Sequence, residues 1–519
     1  MSATAEYVRP MPEINPWLIA ATVISATFME VLDTSVANVS LPHIAGSLSA
    51  GVDESTWVLT SYLVSNAIVL PLTGWFSTLF GRKRFFLACV VIFTLSSFLC
   101  GMAPSLGALV FFRVIQGAGG GGMQPISQAI LVDSFPRGRQ GMAMAIYGMG
   151  VVVAPTLGPT LGGWITDNYS WRWIFLLNVP VGIISVLMIS LLISDPTHLV
   201  RKTFKQGLGI DFLGLGLLSV GLGFLQVILD KGERDDWFGS PFITWATVVC
   251  VVALIALVIR ELTAQDPVVD VHLFKDRNFA ISTFMMYTLG VVLYGTTLLV
   301  PIWLQTLMGY TAMESGMVLL PGGLVLLAIL PFVGALLDRF EPRWIVATGL
   351  LIMATGLFQL SHLNLNAGTR APVTDWIISR MGTAFLFVPI NVMAFYFVPR
   401  GKMNNASGLI NLARNIGAST GISFVTTMLD RRAQFHQNVL MENLQPGNHH
   451  YQAALHHLTG ILAARGADVA HALTQAQALV YGEMQRQATM LAFVDDFRIN
   501  GTICVCVLPL LFLMRGKTR

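Results

Sequence analysis

The chain has 519 residues, of which 54% are hydrophobic and only 11% charged, with a formal net charge of +3. Soluble domains carry about 25% charged residues, so this composition excludes a water-soluble globular protein, and so small a net charge gives no case for a nucleic-acid partner. The five cysteines (Cys89, Cys100, Cys250, Cys504 and Cys506) fall in apolar runs or at their ends, which excludes a disulfide framework and a cysteine metal site.

A membrane span needs about 20 mostly apolar residues. Fourteen such runs are predicted, at 16–41, 57–80, 85–101, 106–132, 142–165, 173–193, 212–229, 242–259, 279–303, 316–337, 344–360, 376–397, 406–429 and 497–514. The first follows a polar stretch with Glu6, Arg9 and Glu13 and is too long for a signal-peptide core, so no cleavable signal is expected. The last is the least regular, because Arg498 and Asn500 stand at its entrance.

Alternate loops carry the basic residues: Arg82-Lys83-Arg84, Arg137 and Arg139, Arg201, Lys202 and Lys205, Lys275 and Arg277, Arg339 and Arg343, Arg400 and Lys402. Arg9 and the tail residues Arg515, Lys517 and Arg519 share that side, whereas the opposite short loops hold only Arg172, Lys231, Arg234 and Arg370. The positive-inside rule makes the first side cytoplasmic and predicts both termini there, as an even number of spans requires. The one long loop, 430–496, falls outside, and its Ala, Leu and Gln content predicts one or two amphipathic helices in 452–464 and 468–490. Six of ten histidines lie in it, and His449/His456 and His450/His457 would share a helical face. A solvated face or a partner contact accounts for them, and no metal site is assigned.

The spans group as six, two and six. This gives a six-helix half over 1–197, a two-helix insert over 198–272 and a second six-helix half over 273–519 that contains the 430–496 loop. Two six-span halves are the plan of a large transporter class. A coarse repeat supports the division: Gly74-Trp-Phe-Ser-Thr-Leu-Phe-Gly81-Arg82 and Gly334-Ala-Leu-Leu-Asp338-Arg339 each place a glycine before a basic turn at the equivalent place.

Several spans hold residues that lipid would reject. Glu30 and Asp33 lie in the first, three residues apart and on neighbouring positions of one helical face. A carboxylate near mid-bilayer costs about 2.5–3.5 kcal/mol, so it is kept where it faces water, a partner charge or a proton pathway. The fourth span holds Arg113, Gln116 and Gly117, then glycines from Gly119 to Gly122. Arg113 needs an acidic or carbonyl partner, and Glu30 and Asp33 are the candidates. The glycine run lacks the Lys-Ser/Thr ending of a phosphate loop and reads as packing. In the fifth span, Pro155 and Pro159 predict a kink, and Ala154, Gly158 and Gly162 form a small-residue stripe for close helix approach. Arg380 and Arg414 lie in the twelfth and thirteenth spans with no acid deep in that half. Their partners are sought among carbonyls, Asn391, Asn411, Asn415 or an anionic ligand.

These motifs together resemble the major facilitator superfamily, and within it the fourteen-span drug:proton antiporter branch of EmrB and QacA type. Leu32-Asp33 with Val36-Ala-Asn-Val-Ser-Leu-Pro42 resembles that branch's first-helix signature. Arg113, Gln116 and Gly117 match the fourth-helix motif; Gly158-Pro159 with Gly162-Gly163 match the antiporter motif. Trp171-Arg-Trp-Ile-Phe-Leu-Leu-Asn-Val-Pro180 matches the segment entering the sixth helix, and Ala406-Ser-Gly-Leu-Ile-Asn411 with Arg414 and Gly417 the thirteenth. One departure is Thr78, where the family's gating motif around Gly74, Gly81 and Arg82 has an Asp; Asp338 and Arg339 supply the counterpart in the second half.

The resemblance implies an all-α fold and proton-coupled export of hydrophobic small molecules by alternating access. It uses no cofactor beyond the proton-motive force, with Asp33 as the leading protonation site and Glu30 and Arg113 beside it. Gln116, Arg380, Asn411 and Arg414 are implied as substrate or structural contacts. EmrB-type pumps sit in the inner membrane and work with a periplasmic adaptor and an outer-membrane channel, and the long outer loop resembles theirs. Export of one metabolite, fatty acid or siderophore is the alternative on the same fold; a transport-inactive sensor or scaffold is the alternative of another class. No nucleophile–base set or metal cluster points to an enzyme.

Overall fold

The computed structural model describes residues 15–136, 139–195, 211–264, 269–337, 339–465 and 468–514. Arg9, Arg137, Arg201, Lys202, Lys205, Asp338, Arg515, Lys517 and Arg519 lie outside the described residues, and so does the side chain of Pro159. Seventeen α-helices and no strand occur among the described residues. They are α1 (Pro16–Ser47), α2 (Val52–Ser55), α3 (Trp57–Phe80), α4 (Arg82–Gly101), α5 (Leu106–Ser134), α6 (Gln140–Asn168), α7 (Arg172–Leu176), α8 (Asn178–Leu192) and α9 (Phe212–Lys231). Then follow α10 (Pro241–Thr263), α11 (Arg277–Thr306), α12 (Ala312–Leu336), α13 (Pro342–Leu360), α14 (Arg370–Phe395), α15 (Met403–Met441), α16 (His449–Ala464) and α17 (Val469–Val507).

Local chemistry sets many of the boundaries. Asn15, Ser105, Asp211, Asp276 and Asn448 cap helix starts by accepting from a backbone N–H two or three residues on. Thr311 and Glu314 close a reciprocal capping box on α12. Gly81 turns the chain between α3 and α4 with φ +84°, a conformation that glycine adopts without strain. Where 16–41 is expected, α1 runs on through Pro42 to Ser47, because a proline removes only one bond from a helix already held by its neighbours.

Eleven helices are long and apolar enough to cross a membrane, and twelve when the two arms of α6, bent by 46° between Pro155 and Thr160, count as one span. α5 and α15 fall below that threshold. Their inward faces carry Arg113, Gln116 and Gln128, and Asn404, Asn411 and Arg414, all buried. The outside of the bundle is apolar instead: Leu95, Ile184, Leu187, Leu191, Trp245 and Val252 are more than half exposed. Such a belt suits lipid and not water.

α1, α3, α4, α5, α6 and α8 pack on one another, and α11 to α15 with α17 form a second group. The groups meet through α3 and α5 against α15 and through α6 against α12 and α14. Contact is closest at the end bearing the basic turns. A Cβ on Gly74 would lie 1.2 Å from Asn405 Oδ1, and one on Gly141 2.8 Å from the Gly334 carbonyl oxygen. α9 pairs with α10 and touches both groups: Thr60 of α3 donates to Asp230, and Gln226 Nε2 donates to Ser419 Oγ of α15 at 2.7 Å.

The expected outer loop 430–496 is mostly helix continuing from the bundle. α15 and α17 each have 39 residues, about 58 Å at 1.5 Å per residue against a hydrocarbon core of about 30 Å. Both therefore project on one side, joined by α16. Arg432 Nε donates to Asp495 Oδ2 at 2.6 Å, and Gln437 Nε2 to Tyr481 Oη at 2.8 Å. The four histidines from His449 to His457 are exposed on α16, and no three His, Cys, Asp or Glu converge as metal ligands among the described residues.

At the base of this projection Glu233, in the α9–α10 turn, meets Asp430. Partial burial, and then the hydrogen bond and charge of Asp430, push the Glu233 carboxyl above its ordinary range, with Arg234 opposing. A raised folded-state value stabilises at low pH, and that contribution is lost as pH rises through the raised value. Glu233→Gln is therefore expected to unfold at the same temperature as the parent at pH 5 and at a higher one at pH 8. A Tm difference independent of pH would disprove the raised Glu233 carboxyl.

Candidate functional site

The two acids of α1 share a helical face but part company in their contacts. Asp33 turns into the first group of helices. It accepts from Arg113 Nη1 at 2.6 Å, Gln116 Nε2 at 3.1 Å and Asn178 Nδ2 at 2.6 Å. Arg113 is itself held by the Val58 carbonyl oxygen (2.9 Å from Nε), Gln116 Oε1 (2.8 Å) and the Tyr62 ring, 4.2 Å from the guanidinium carbon. Gln116 and Asn178 also donate to Ser97 Oγ at 2.6 and 3.1 Å. The Arg113 and Asp33 side chains are 0% and 1% exposed. The result is a buried ion pair in which the carboxylate has three donors. That number suits an ionised acid in a site away from water.

Glu30 does not contact Arg113. It faces the second group of helices through neutral donors: Tyr62 Oη at 3.1 Å, Asn66 Nδ2 at 3.2 Å and Gln124 Nε2 at 2.5 Å. Two of these donors lead onward. Arg414 of α15 donates to Gln124 Oε1, and Asn415 Nδ2 donates to Asn66 Oδ1 at 3.2 Å. Glu30 is therefore one bond removed from the opposite group on two paths. A few residues along, Gln128 Oε1 accepts from Ser407 Oγ and Asn411 Nδ2, both at 2.7 Å, and its Nε2 donates to Asn391 Oδ1 at 3.3 Å. A seam of amides thus joins α5 to α14 and α15.

This corrects the expected partners of the two second-group arginines. Arg414 uses Gln124, not Asn411 or Asn415. Arg380 donates to Thr297 Oγ1 at 2.8 Å and lies 3.7 Å above the Trp376 ring centroid. Trp376 stands one turn before Arg380 on α14, whereas a hydroxyl in another helix, such as Thr297 of α11, leaves no sequence signal at an arginine. The expectation that no acid lies deep in the second half also fails: Asp496 is fully buried in α17, which begins well before the span expected at 497.

The small-residue stripe of α6 seats the acid-bearing helix. A Cβ on Gly158 would lie 2.2 Å from Ser35 Oγ, and one on Gly162 would lie 3.2 Å from Val36 Cα. Ser35 Oγ donates to the Pro155 carbonyl oxygen at 3.1 Å. Gly163 opens to free space. In the gating motif, the buried Arg82 donates from Nη1 to the half-buried Asp133 Oδ2 of α5 at 2.7 Å. An acid from another helix so pairs with Arg82, while Thr78 bonds only within its own helix. Arg339 is exposed at the matching turn of the second group.

Sequence reasoning passed over Tyr62, Asn66, Gln124, Gln128 and Asn178. The signal was available: amides repeat at helical spacing within otherwise apolar spans, and Asn178 lies in the segment leading to Pro180.

Two packed groups of membrane-spanning helices, with buried charges held between and within them, define a polytopic transporter. Residues 23–422 match the Major Facilitator Superfamily, and the chain belongs to that family. It is 35% identical over 494 residues to the multidrug export protein EmrB of Escherichia coli strain K12, covering 94% of this chain and 93% of that protein. It is 34% identical over 492 residues to the fatty acid resistance protein FarB of Neisseria gonorrhoeae, covering 94% of each. Among solved structures, a major facilitator proton:xylose symporter, XylE, superposes with a TM-score of 0.62 at 13% identity over 97% of this chain and 96% of that one. At that identity the likeness concerns the fold.

Proposed function

We propose that this chain is a proton-coupled exporter of many hydrophobic small molecules, working by alternating access. The observation that carries this reading is the division of labour in α1. Asp33 is locked in an ion pair inside one group, while Glu30 reaches Arg414 of the other through Gln124. A proton arriving at these acids would change the charge of both the pair and the contact between groups. Each proton moving inward gains about 2.3 kcal/mol per 100 mV of membrane potential, so the proton-motive force is the energy source and no cofactor is needed. The 35% identity to EmrB over nearly the whole chain supports drug export.

α5 and α15 join the twelve apolar spans as interior helices, making fourteen, in two six-helix halves with α9 and α10 as the insert. The basic turns put the tight Gly74–Asn405 end and both termini on the cytoplasmic side of a bacterial inner membrane. The α15–α16–α17 projection then lies in the periplasm, where it would meet an adaptor leading to an outer-membrane channel. A second reading, export of fatty acids, is favoured by the likeness to FarB.

Purified protein in proteoliposomes decides between these. Addition of lipophilic cationic and neutral drugs is expected to release protons and to be followed by drug movement against a gradient. Release on addition of long-chain fatty acids alone would replace the first reading by the second, and no release with either class would overturn both.

A further inference from the structure

α17 buries a carboxyl that no donor answers. Asp496 is 0% exposed, and neither of its side-chain oxygens receives a hydrogen bond. One turn on, Asn500 is equally buried; its Nδ2 donates to the Asp496 carbonyl oxygen at 2.9 Å, and its Oδ1 receives nothing. Residues four apart stand one above the other on a helix face. This face also carries Phe493, Phe497 and Cys504, each no more than 1% exposed.

The neighbouring Asp495 shows how an ionised acid is treated at this level. It accepts from Arg432 Nε at 2.6 Å and lies 2.8 Å from His436 Nε2, so both basic groups of α15 that face α17 are engaged. α17 otherwise packs on α11, α13 and α16. Residues 278–306 and 344–360 contain no Asp, Glu, Lys, Arg or His, with Tyr287 and Tyr294 as the titratable groups there. α16 offers only its exposed histidines and Tyr451. Among the described residues no cation donates to Asp496: Arg432 and His436 are bonded to Asp495, and Arg498, two residues on, and His362, just past α13, are exposed.

A carboxylate buried without a donor loses its hydration and gains nothing in return. A carboxylic acid has an O–H to give, and Asn500 Oδ1 on the next turn is an acceptor lacking a donor. A single proton removes the uncompensated charge and gives this pair of residues the one donor it lacks.

We propose that Asp496 is a second proton-binding carboxyl of this transporter. It is occupied in the conformation described here and emptied when the end of the bundle beside the α15–α17 projection opens to water. Binding adds one proton from water to one carboxylate oxygen, giving a neutral acid; release returns it. The transport consequence rests on the proton-coupled reading above, and the occupancy does not.

Infrared spectroscopy of the full-length protein in lipid at pH 7 tests the occupancy. The parent is expected to show a protonated-carboxyl C=O band that shifts in D2O, is lost in Asp496→Asn and returns at a displaced frequency in Asp496→Glu. Identical spectra of parent and Asp496→Asn in that region would overturn the proposal, as would a bound cation, which leaves the carboxylate ionised. Should Asp496→Asn fail to fold, a Glu variant whose band does not move is equally decisive. In proteoliposomes, Asp496→Asn is expected to release fewer protons per drug bound while retaining the release that depends on Asp33. An unchanged ratio overturns the emptying step. Absence of proton release in the parent, with the band present, sinks the coupled-export reading and leaves the occupied site standing.

Discussion

Asp33→Asn is expected to end the drug-driven proton release that depends on this carboxyl while the protein stays folded, and Arg113→Met to destabilise the fold strongly. The difference follows from what each change leaves behind. With Asn at 33, Arg113 keeps the Val58 carbonyl, Gln116 Oε1 and the Tyr62 ring, so the cation retains most of its surroundings. The proton site is gone, and coupled transport should fall at least about tenfold, or about 1.4 kcal/mol. With Met at 113, Asp33 stays buried with only the two amides, and stranding one member of a buried pair costs about 3–5 kcal/mol. The double variant should recover most of that loss, because replacing both members of a buried pair is often nearly neutral. Thermal unfolding of the purified variants, with proton release measured beside it, checks the set. Arg113→Met as stable as the parent would disprove the ion pair, and full release by Asp33→Asn would remove Asp33 from the coupling step.

That ion pair was partly legible beforehand. Arg113 needed an acid and only Glu30 and Asp33 were available, so the sequence narrowed the choice to two but could not make it. The two acids share one face, and a 3-residue offset is enough to send them to different neighbours: Arg113, Gln116 and Asn178 for one, Tyr62, Asn66 and Gln124 for the other. Helix existence was legible for the same reason that lipid is unforgiving, since each span must be apolar on the outside. α5 and α15, which fall short of the apolarity a lipid-facing span needs, carry buried polar residues on their inward faces. The helices expected in 452–464 and 468–490 are present as α16 and the first part of α17, but the polar residues beyond 430 do not end α15 there. They end only its contact with lipid: α15 and α17 run on together, fastened by Arg432 and Asp495. That continuity also brings Asp496 inside the bundle. The hydrogen-bond partners of Arg380 and Arg414 were illegible, because a neutral hydroxyl and an amide from other helices supply them, whereas the Trp376 ring under Arg380 lies at i−4 on the same helix.

Glu30→Gln should separate coupling between the groups from recognition of charged drugs. The new side chain can still accept from Tyr62 and Asn66 through its oxygen. Its NH2 then faces Gln124 Nε2, where a 2.5 Å bond joined acid and amide, and two donors cannot share that contact. Gln124 must turn away, and with it goes the bond from Arg414. Gln124→Leu breaks the same chain while leaving the Glu30 charge in place. If Glu30 acts through the chain to Arg414, both variants lose proton release by about tenfold or more for every drug, an effect of about 1.4 kcal/mol. If instead Glu30 serves as a countercharge for cationic substrates, Gln124→Leu behaves like the parent, and Glu30→Gln loses cationic drugs alone. The bonds favour the first outcome: Glu30 has no cation of its own, three neutral donors hold it in place, and two of them extend to the opposite group. Binding of one cationic and one neutral drug to each variant, measured together with proton release, distinguishes the cases, and selective loss of the cationic drug in Glu30→Gln would refute the coupling role.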